Sequence, residues 1–267
     1  MKKLIALILA LVLVLGLVAC GAANNENKNE QPAGTNGSDE APKFTTLEKG
    51  KLIMSTNAEF PPYEMTDDNK NYIGIDVEIA KAIAEKLGLE LEIMDVDFDA
   101  ALLAVQQNKS DIVMAGVTVN DDRKLVMNFS NTYATGKQVI IVKEGSDVTL
   151  DNLGEKMIGT QRATTGNIYA SDGYGEEHVL AYDNGATAVQ ALQNGQVDCV
   201  IIDNAPAQEY VKANAGLKIL ETEYVIEDYA IGFSKTNTAL VEAVNEALDA
   251  LIKDGSVQKI LDKYIAA

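Results

Sequence analysis

An α/β fold of two similarly built halves is what this chain predicts, and three observations carry that prediction. Apolar runs of strand length alternate with apolar residues at helical spacing from Leu52 onward; one helix–turn–strand unit occurs twice; and Cys199 is the only cysteine in that region, so the fold rests on its core and not on disulfides. Leu52 to Thr56 reads as a strand. Ile75, Ile79, Ile83 and Leu87 recur at helical spacing, with Gly88 placed to stop the helix in the left-handed conformation. Leu89 to Met94 is a strand, Asp99 to Gln107 a helix, and Ile112 to Ala115 a strand. Beyond Tyr133 the pattern restarts, with Gln138 to Val142 extended, Lys156 to Gly159 a short strand and Thr165 to Tyr174 helical. Strand Val179–Tyr182, helix Ala186–Gln193, strand Cys199–Ile202 and helix Ala205–Ala213 follow. Strand Tyr229–Phe233 and helices Thr238–Lys253 and Val257–Tyr264 complete the series, and the alternation predicts mostly parallel sheets.

The repeated unit runs from Ala101 to Gly116 and again, without a gap, from Ala188 to Asp203. Asn108 falls where Gly195 does, and both residue types tolerate the left-handed turn that ends a helix. Gly116 and Asp203 then occupy equivalent places just past the carboxyl ends of their strands, where open α/β sheets bind ligands. Cys199 sits in the apolar run Cys199–Ile202 and reads as a small buried hydrophobe.

The first 43 residues have a different character. Met1-Lys2-Lys3 precedes an apolar run from Leu4 to Ala19, 16 residues against the roughly 20 of a membrane-spanning helix. Residues 1–19 are therefore expected to be a signal peptide. Leu17-Val18-Ala19-Cys20-Gly21 resembles a bacterial lipobox, which implies lipidation of Cys20; an uncleaved anchor helix is the alternative. Gly21 to Lys43 is almost wholly polar or small and reads as a tether. The formal charge of −18 becomes −20 without Lys2 and Lys3, which argues against nucleic acid and anionic lipid head groups as partners.

Ala115 to Arg123 is the most informative stretch. Asn120 can cap a short helix whose first turn carries Arg123, beside free N–H groups and the Thr118 hydroxyl. A guanidinium fork among such donors suits a carboxylate held by two oxygens. The same residues also read as a surface arginine paired with Asp121 or Asp122. Enzyme signals are weak. Gly154 to Gly159 runs into Thr160-Gln161 and so lacks the Lys-Ser/Thr of a phosphate loop. Gly173-Tyr174-Gly175 lacks the third glycine of a dinucleotide fingerprint, and the single histidine, His178, reads as a solvated loop residue. Asp67 to Asn71 reads as a turn rather than a calcium loop. No cofactor is expected.

The segments Thr56 to Glu64, Gly74 to Ala80, Ala115 to Arg123 with Asn128-Phe129-Ser130, Ala163 to Gly166 and Val197 to Asp203 come in an order that resembles the polar amino-acid binding proteins of ABC importers. That resemblance implies a two-lobed periplasmic-binding-protein-like fold of type II, each lobe a mostly parallel sheet flanked by helices. Lobe 1 would be residues 44–133 plus 230–267 and lobe 2 residues 138–226, with hinge crossovers at 134–137 and 227–229. It further implies that Arg123 takes the ligand α-carboxylate, helped by Gly116, Thr118 and Thr165, that Asp203 takes the α-ammonium, and that Ala115 also touches the ligand. Phe60 and Phe98 would sandwich the ligand, and Asn57 and Gln161 would read its side chain. Core packing is the other reading of the two phenylalanines, and a helix N-cap that of Asp203. Many relatives carry an acid where Asn57 stands, so the expected ligand is a polar uncharged amino acid such as glutamine or cystine, with an acidic one open if Arg162 faces the cleft. The implied protein is an extracytoplasmic, lipid-anchored monomer that delivers its ligand to an ABC importer and is not an enzyme. The alternative is a cyclohexadienyl-dehydratase-like lyase on the same scaffold, for which Glu59 or Glu64 would be the acid or base.

Overall fold

The computed structural model of the chain describes residues 44–220 and 225–265; the expected signal peptide and the tether with Cys20 lie outside them. Strand β1 (Lys51–Thr56) leads into a small antiparallel sheet of β2 (Glu59–Phe60), β3 (Glu64–Thr66) and β4 (Tyr72–Ile73). Helix α1 (Ile75–Leu87) buries Ile75, Val77, Ile79, Ala80 and Ile83, carries Asp76 and Glu78 in its first turn, and ends at left-handed Gly88. Then come β5 (Glu90–Asp95), α2 (Phe98–Gln106), β6 (Ile112–Val113), α3 (Asp121–Val126) and the long β7 (Met127–Lys143). The chain continues through β8 (Ile158–Gln161), α4 (Thr165–Tyr174), β9 (Val179–Tyr182), α5 (Gly185–Gln193), β10 (Cys199–Asp203) and α6 (Asn204–Ala213). It ends with β11 (Leu217–Ile219), β12 (Val225–Ser234), α7 (Thr238–Lys253) and α8 (Ser256–Tyr264).

Both copies of the repeat fold alike. Each is a helix, a left-handed turn at Asn108 (φ 53°) or Gly195 (φ 73°), and a strand. The equivalence extends to side chains. Asp111 accepts from the Ile53 N–H at the start of β1 (2.8 Å), and Asp198 from the Met157 N–H just before β8 (2.8 Å). A parallel core of three strands results in each half, β5-β1-β6 and β10-β8-β9.

The expectation of mostly parallel sheets needs amendment, because the whole is one mixed sheet in the order β5-β1-β6-β12-β7-β10-β8-β9, with β11 on β7. β7 and β12 pair antiparallel from Val225 opposite Gln138 to Ser234 opposite Met127, with register shifts near Ala230. Each then joins a parallel core antiparallel, β12 to β6 and β7 to β10. The reason is direction: a chain that crosses from one half to the other runs against the strands it meets. The expected crossovers at 134–137 and 227–229 therefore lie inside a continuous two-stranded ribbon. A Cβ at Gly136 would run into the Tyr229 phenol, so that strand position needs glycine.

Cys199 is fully buried, as expected, and burial pushes its thiol up to about 12. His178 is half-buried and ends a 3₁₀ turn, Glu176–His178, instead of standing in an open loop. Asp67 accepts from the N–H groups of Asn69 and Asn71 at 2.8 Å each, which makes the 67–71 segment the expected turn.

Candidate functional site

A narrow cavity lies at the carboxyl ends of β1, β6, β8 and β10, between the two parallel cores. All ten residues named from the sequence line it: Asn57, Phe60, Phe98, Ala115, Gly116, Thr118, Arg123, Gln161, Thr165 and Asp203. Glu64 and Thr164 complete the lining.

Arg123 is held from several sides. Its own N–H is capped by Asn120 Oδ1 (2.8 Å), Nη1 donates to the Thr118 carbonyl (2.8 Å), and Nη2 donates across the cavity to the Ala163 carbonyl (3.1 Å). The guanidinium lies 5.4 Å from the Phe98 ring centroid. Asp121 pairs with Lys124 at 3.1 Å, so the surface-arginine reading is wrong: Arg123 is 7 % exposed. The loop that bears Thr118 is laced to β12 by Val119 N–H to Asp228 O (2.9 Å) and Ala230 N–H to Val117 O (3.1 Å). Ala163 adopts φ 61°, a strained value for alanine that aims its carbonyl at Arg123. The Thr118 and Thr165 hydroxyls lie 3.5 Å apart, and Thr165 opens α4, whose Asn167 N–H is capped by Thr164 Oγ1 at 3.2 Å.

Asp203 stands at the N-cap position of α6, yet its side chain makes no capping bond, so that alternative fails. It accepts instead from the Tyr229 hydroxyl. Burial, then the nearby Glu227, raises its carboxyl to about 7, opposed by the Tyr229 bond. Phe60 and Phe98 are both buried and both line the cavity, so packing and lining are one role here.

Asn57 and Gln161 meet across the cavity, Gln161 Nε2 donating to Asn57 Oδ1 at 3.0 Å. The two amides expected to read a side chain are thus bonded to each other, and Asn57 Nδ2 donates to the Val96 carbonyl at 3.2 Å. Arg162 pairs with Asp183 at 2.8 Å and its side chain is half-exposed, facing away from the lining. Sequence reasoning gave Glu64 a part only in the lyase alternative and not among the ligand-binding residues, yet it lines the cavity. It is fully buried, neither carboxyl oxygen has a hydrogen-bond partner, and burial together with Asp76 pushes it well above the usual carboxylate range. Behind the cavity Glu227 is also buried and accepts from Gln138 Nε2 at 2.8 Å, tying the two ribbon strands together. Its position in a polar, unpatterned stretch gave no signal.

Residues 52–267 match the family described as bacterial extracellular solute-binding proteins, family 3. This chain belongs to that family. Its family 3 relatives include a probable histidine-binding protein of Neisseria gonorrhoeae, 32% identical over all of this chain and 96% of the relative. The arginine-binding extracellular protein ArtP of Bacillus subtilis is 30% identical over 99% of this chain and 98% of its own length. Among solved structures, an ancestral arginine-binding protein bound to glutamine is 39% identical, with a TM-score of 0.78, over 82% of this chain and all of that one. As a family 3 solute-binding protein the chain is an extracytoplasmic substrate-binding component of an ABC importer. The lyase alternative gives way to this membership. The cavity between the halves is lined by one cationic side chain, Arg123, and by two carboxyls, Asp203 and Glu64.

Proposed function

We propose that this receptor captures a free amino acid with a cationic side chain, of the arginine, lysine or histidine type. The observation that carries the reading is the charge of the cavity. Arg123 and Asp203 match the carboxylate and ammonium common to all amino acids, and Glu64 remains, buried and without a donor. A buried carboxylate without a counter-charge costs several kcal/mol, and a ligand cation removes that cost. The names of the histidine- and arginine-binding relatives point the same way. The expected uncharged ligand, glutamine or cystine, rested on Asn57, whose carboxamide oxygen is already bonded to Gln161. Glutamine keeps support as a second ligand from the arginine-binding neighbour bound to it.

The rest of the assignment follows from the sequence reading. Gly116, Thr118 and Thr165 assist Arg123, while Ala115, Phe60 and Phe98 cover the aliphatic part of the ligand. Lobe 1 is 44–133 plus 230–267, lobe 2 is 138–226, and the lobes close about 134–137 and 227–229 by hinge motion. The protein acts as a monomer, anchored through lipid on Cys20.

Titration calorimetry against arginine, lysine, histidine, glutamine and cystine tests the ligand class. The basic amino acids should bind at least tenfold more tightly than glutamine, and equal or weaker binding would remove the charge argument. Arg123→Ala should lose at least about a hundredfold in affinity for any ligand found, since it leaves the ligand carboxylate buried and unpaired. An unchanged isotherm would take Arg123 out of the site.

A further inference from the structure

Glu64 does not stand alone. Asp76, in the first turn of α1, is fully buried next to it. Asp76 Oδ2 accepts from the Gly116 N–H at 2.9 Å, while its Oδ1 has no partner. The Tyr133 hydroxyl of β7 lies against the same carboxyl, a neutral donor beside it. Both oxygens of Glu64 and Oδ1 of Asp76 are buried without a well-formed hydrogen bond.

The surroundings make the charge problem worse. The other charged groups acting on Glu64 are Asp203 of β10 and Asp95 of β5, both acids. Tyr63, before β3, and Tyr133 are phenols held neutral by burial. Two carboxyls side by side in a dry interior cannot both ionise. One proton between them supplies the missing donor to an acceptor and leaves the pair with a single negative charge. The electrostatics agree with the geometry: burial raises Asp76 to about 6 and pushes Glu64 well above the usual carboxylate range.

We propose that Glu64 and Asp76 share one proton in the empty receptor, and that a cationic ligand side chain entering beside Glu64 expels it to solvent. Asp76 is then a positioning residue. It does not line the cavity, but it fixes the Gly116 backbone and decides whether Glu64 is neutral or charged before the ligand arrives. The O–H bond of the shared proton breaks, the proton goes to buffer, and the ligand cation takes its place. The inference rests on the basic-ligand reading. Its consequence is that affinity for a basic amino acid rises with pH, by up to tenfold per unit for one proton released, for as long as the free protein holds the shared proton.

Calorimetric titration with arginine in buffers of different ionisation enthalpy, at pH 6 and 7.5, counts the protons directly. Asp203 also gives up a proton when it meets the ligand ammonium, so the comparison between variants decides. In Asp76→Asn the new amide can donate to Glu64, which then stays ionised. Arginine should still bind, the proton count at pH 6 should fall by close to one, and the pH slope of affinity should flatten. A structural role for Asp76 through Gly116 alone would leave the count unchanged, and that result overturns the proposal. Glu64→Gln serves as the second variant: its count should fall by the same amount with arginine affinity reduced, and an unaltered count again overturns it. Absence of binding by any basic amino acid to the wild-type protein would instead sink the ligand reading and this inference with it.

Discussion

At the scale of single residues, Arg123 and Asp203 show how one pattern supports two readings until neighbours are known. Beside Asp121 and Asp122, the sequence around Arg123 suits a surface ion pair as well as a binding fork. Burial against Phe98 and bonds to the Thr118 and Ala163 carbonyls select the second. Gly116 carries a similar lesson in backbone form. Its φ of +55° is one that side chains rarely adopt, and a Cβ there would stand 3.0 Å from Phe60 Cε1. Gly116→Ala should therefore cost about 1–3 kcal/mol, lowering the melting temperature by several degrees for a domain of this size. It should also weaken ligand binding, because the displaced N–H is the one that Asp76 holds. Scanning calorimetry checks the first effect, and a melting temperature within a degree of wild type would show that the loop absorbs the methyl group.

At the scale of elements, bonds outside the ligand space tie the two halves together, and on the proposed hinge motion they form only when the halves close. Asn184 Nδ2, at the start of α5, donates to Glu59 Oε2 at 2.7 Å, and the Tyr210 hydroxyl of α6 donates to the Glu59 carbonyl at 3.0 Å. Each such bond is worth about 0.5–1.5 kcal/mol net, so it belongs to the closed state and should slow ligand escape. Tyr210→Phe should raise the dissociation rate roughly 2- to 10-fold while the association rate changes little. Stopped-flow tyrosine fluorescence measures both, and an unchanged dissociation rate would mean that this bond survives opening. The elements themselves were legible where burial writes a period into the sequence, as in α1, α5, α7 and β10. The repeat was legible for the same reason, down to the left-handed turns at Asn108 and Gly195. The first half of β7 was not, because Asn128 to Lys137 is polar and only partly buried, and pairing with β12 makes it a strand. Glu64 was misjudged for a related cause: sequence alone does not tell whether a glutamate meets water.

At the scale of the molecule, function and stability pull on the same carboxyls. Asp76 and Asp203 titrate near 6 and 7 in the folded protein against 3.8 for the ordinary side chain, both chiefly through burial. A folded acid with a raised value binds more protons than its unfolded counterpart between those limits. The sign is therefore that their stability contribution is full below about pH 4 and is lost as pH rises toward 7. Exposed acids held below the usual range by hydrogen bonds or lysines, such as Asp67, Asp147 and Asp254, act the other way, but their loss comes on acidification, below about pH 4. The two windows do not overlap, so the ligand-free protein should melt several degrees lower at pH 7.5 than at pH 5. Ligand reverses the trend, because ammonium and side-chain cation supply the charge these carboxyls lack. A ligand at a hundred times its dissociation constant at pH 5 adds about 2.7 kcal/mol, and at that same concentration the gain should grow with pH as affinity does. Melting curves with and without saturating arginine from pH 5 to 7.5 should therefore diverge as pH rises. Parallel curves would mean that the buried acids are ionised, or neutral, in both states alike, and that closure rather than charge sets the stability of this receptor.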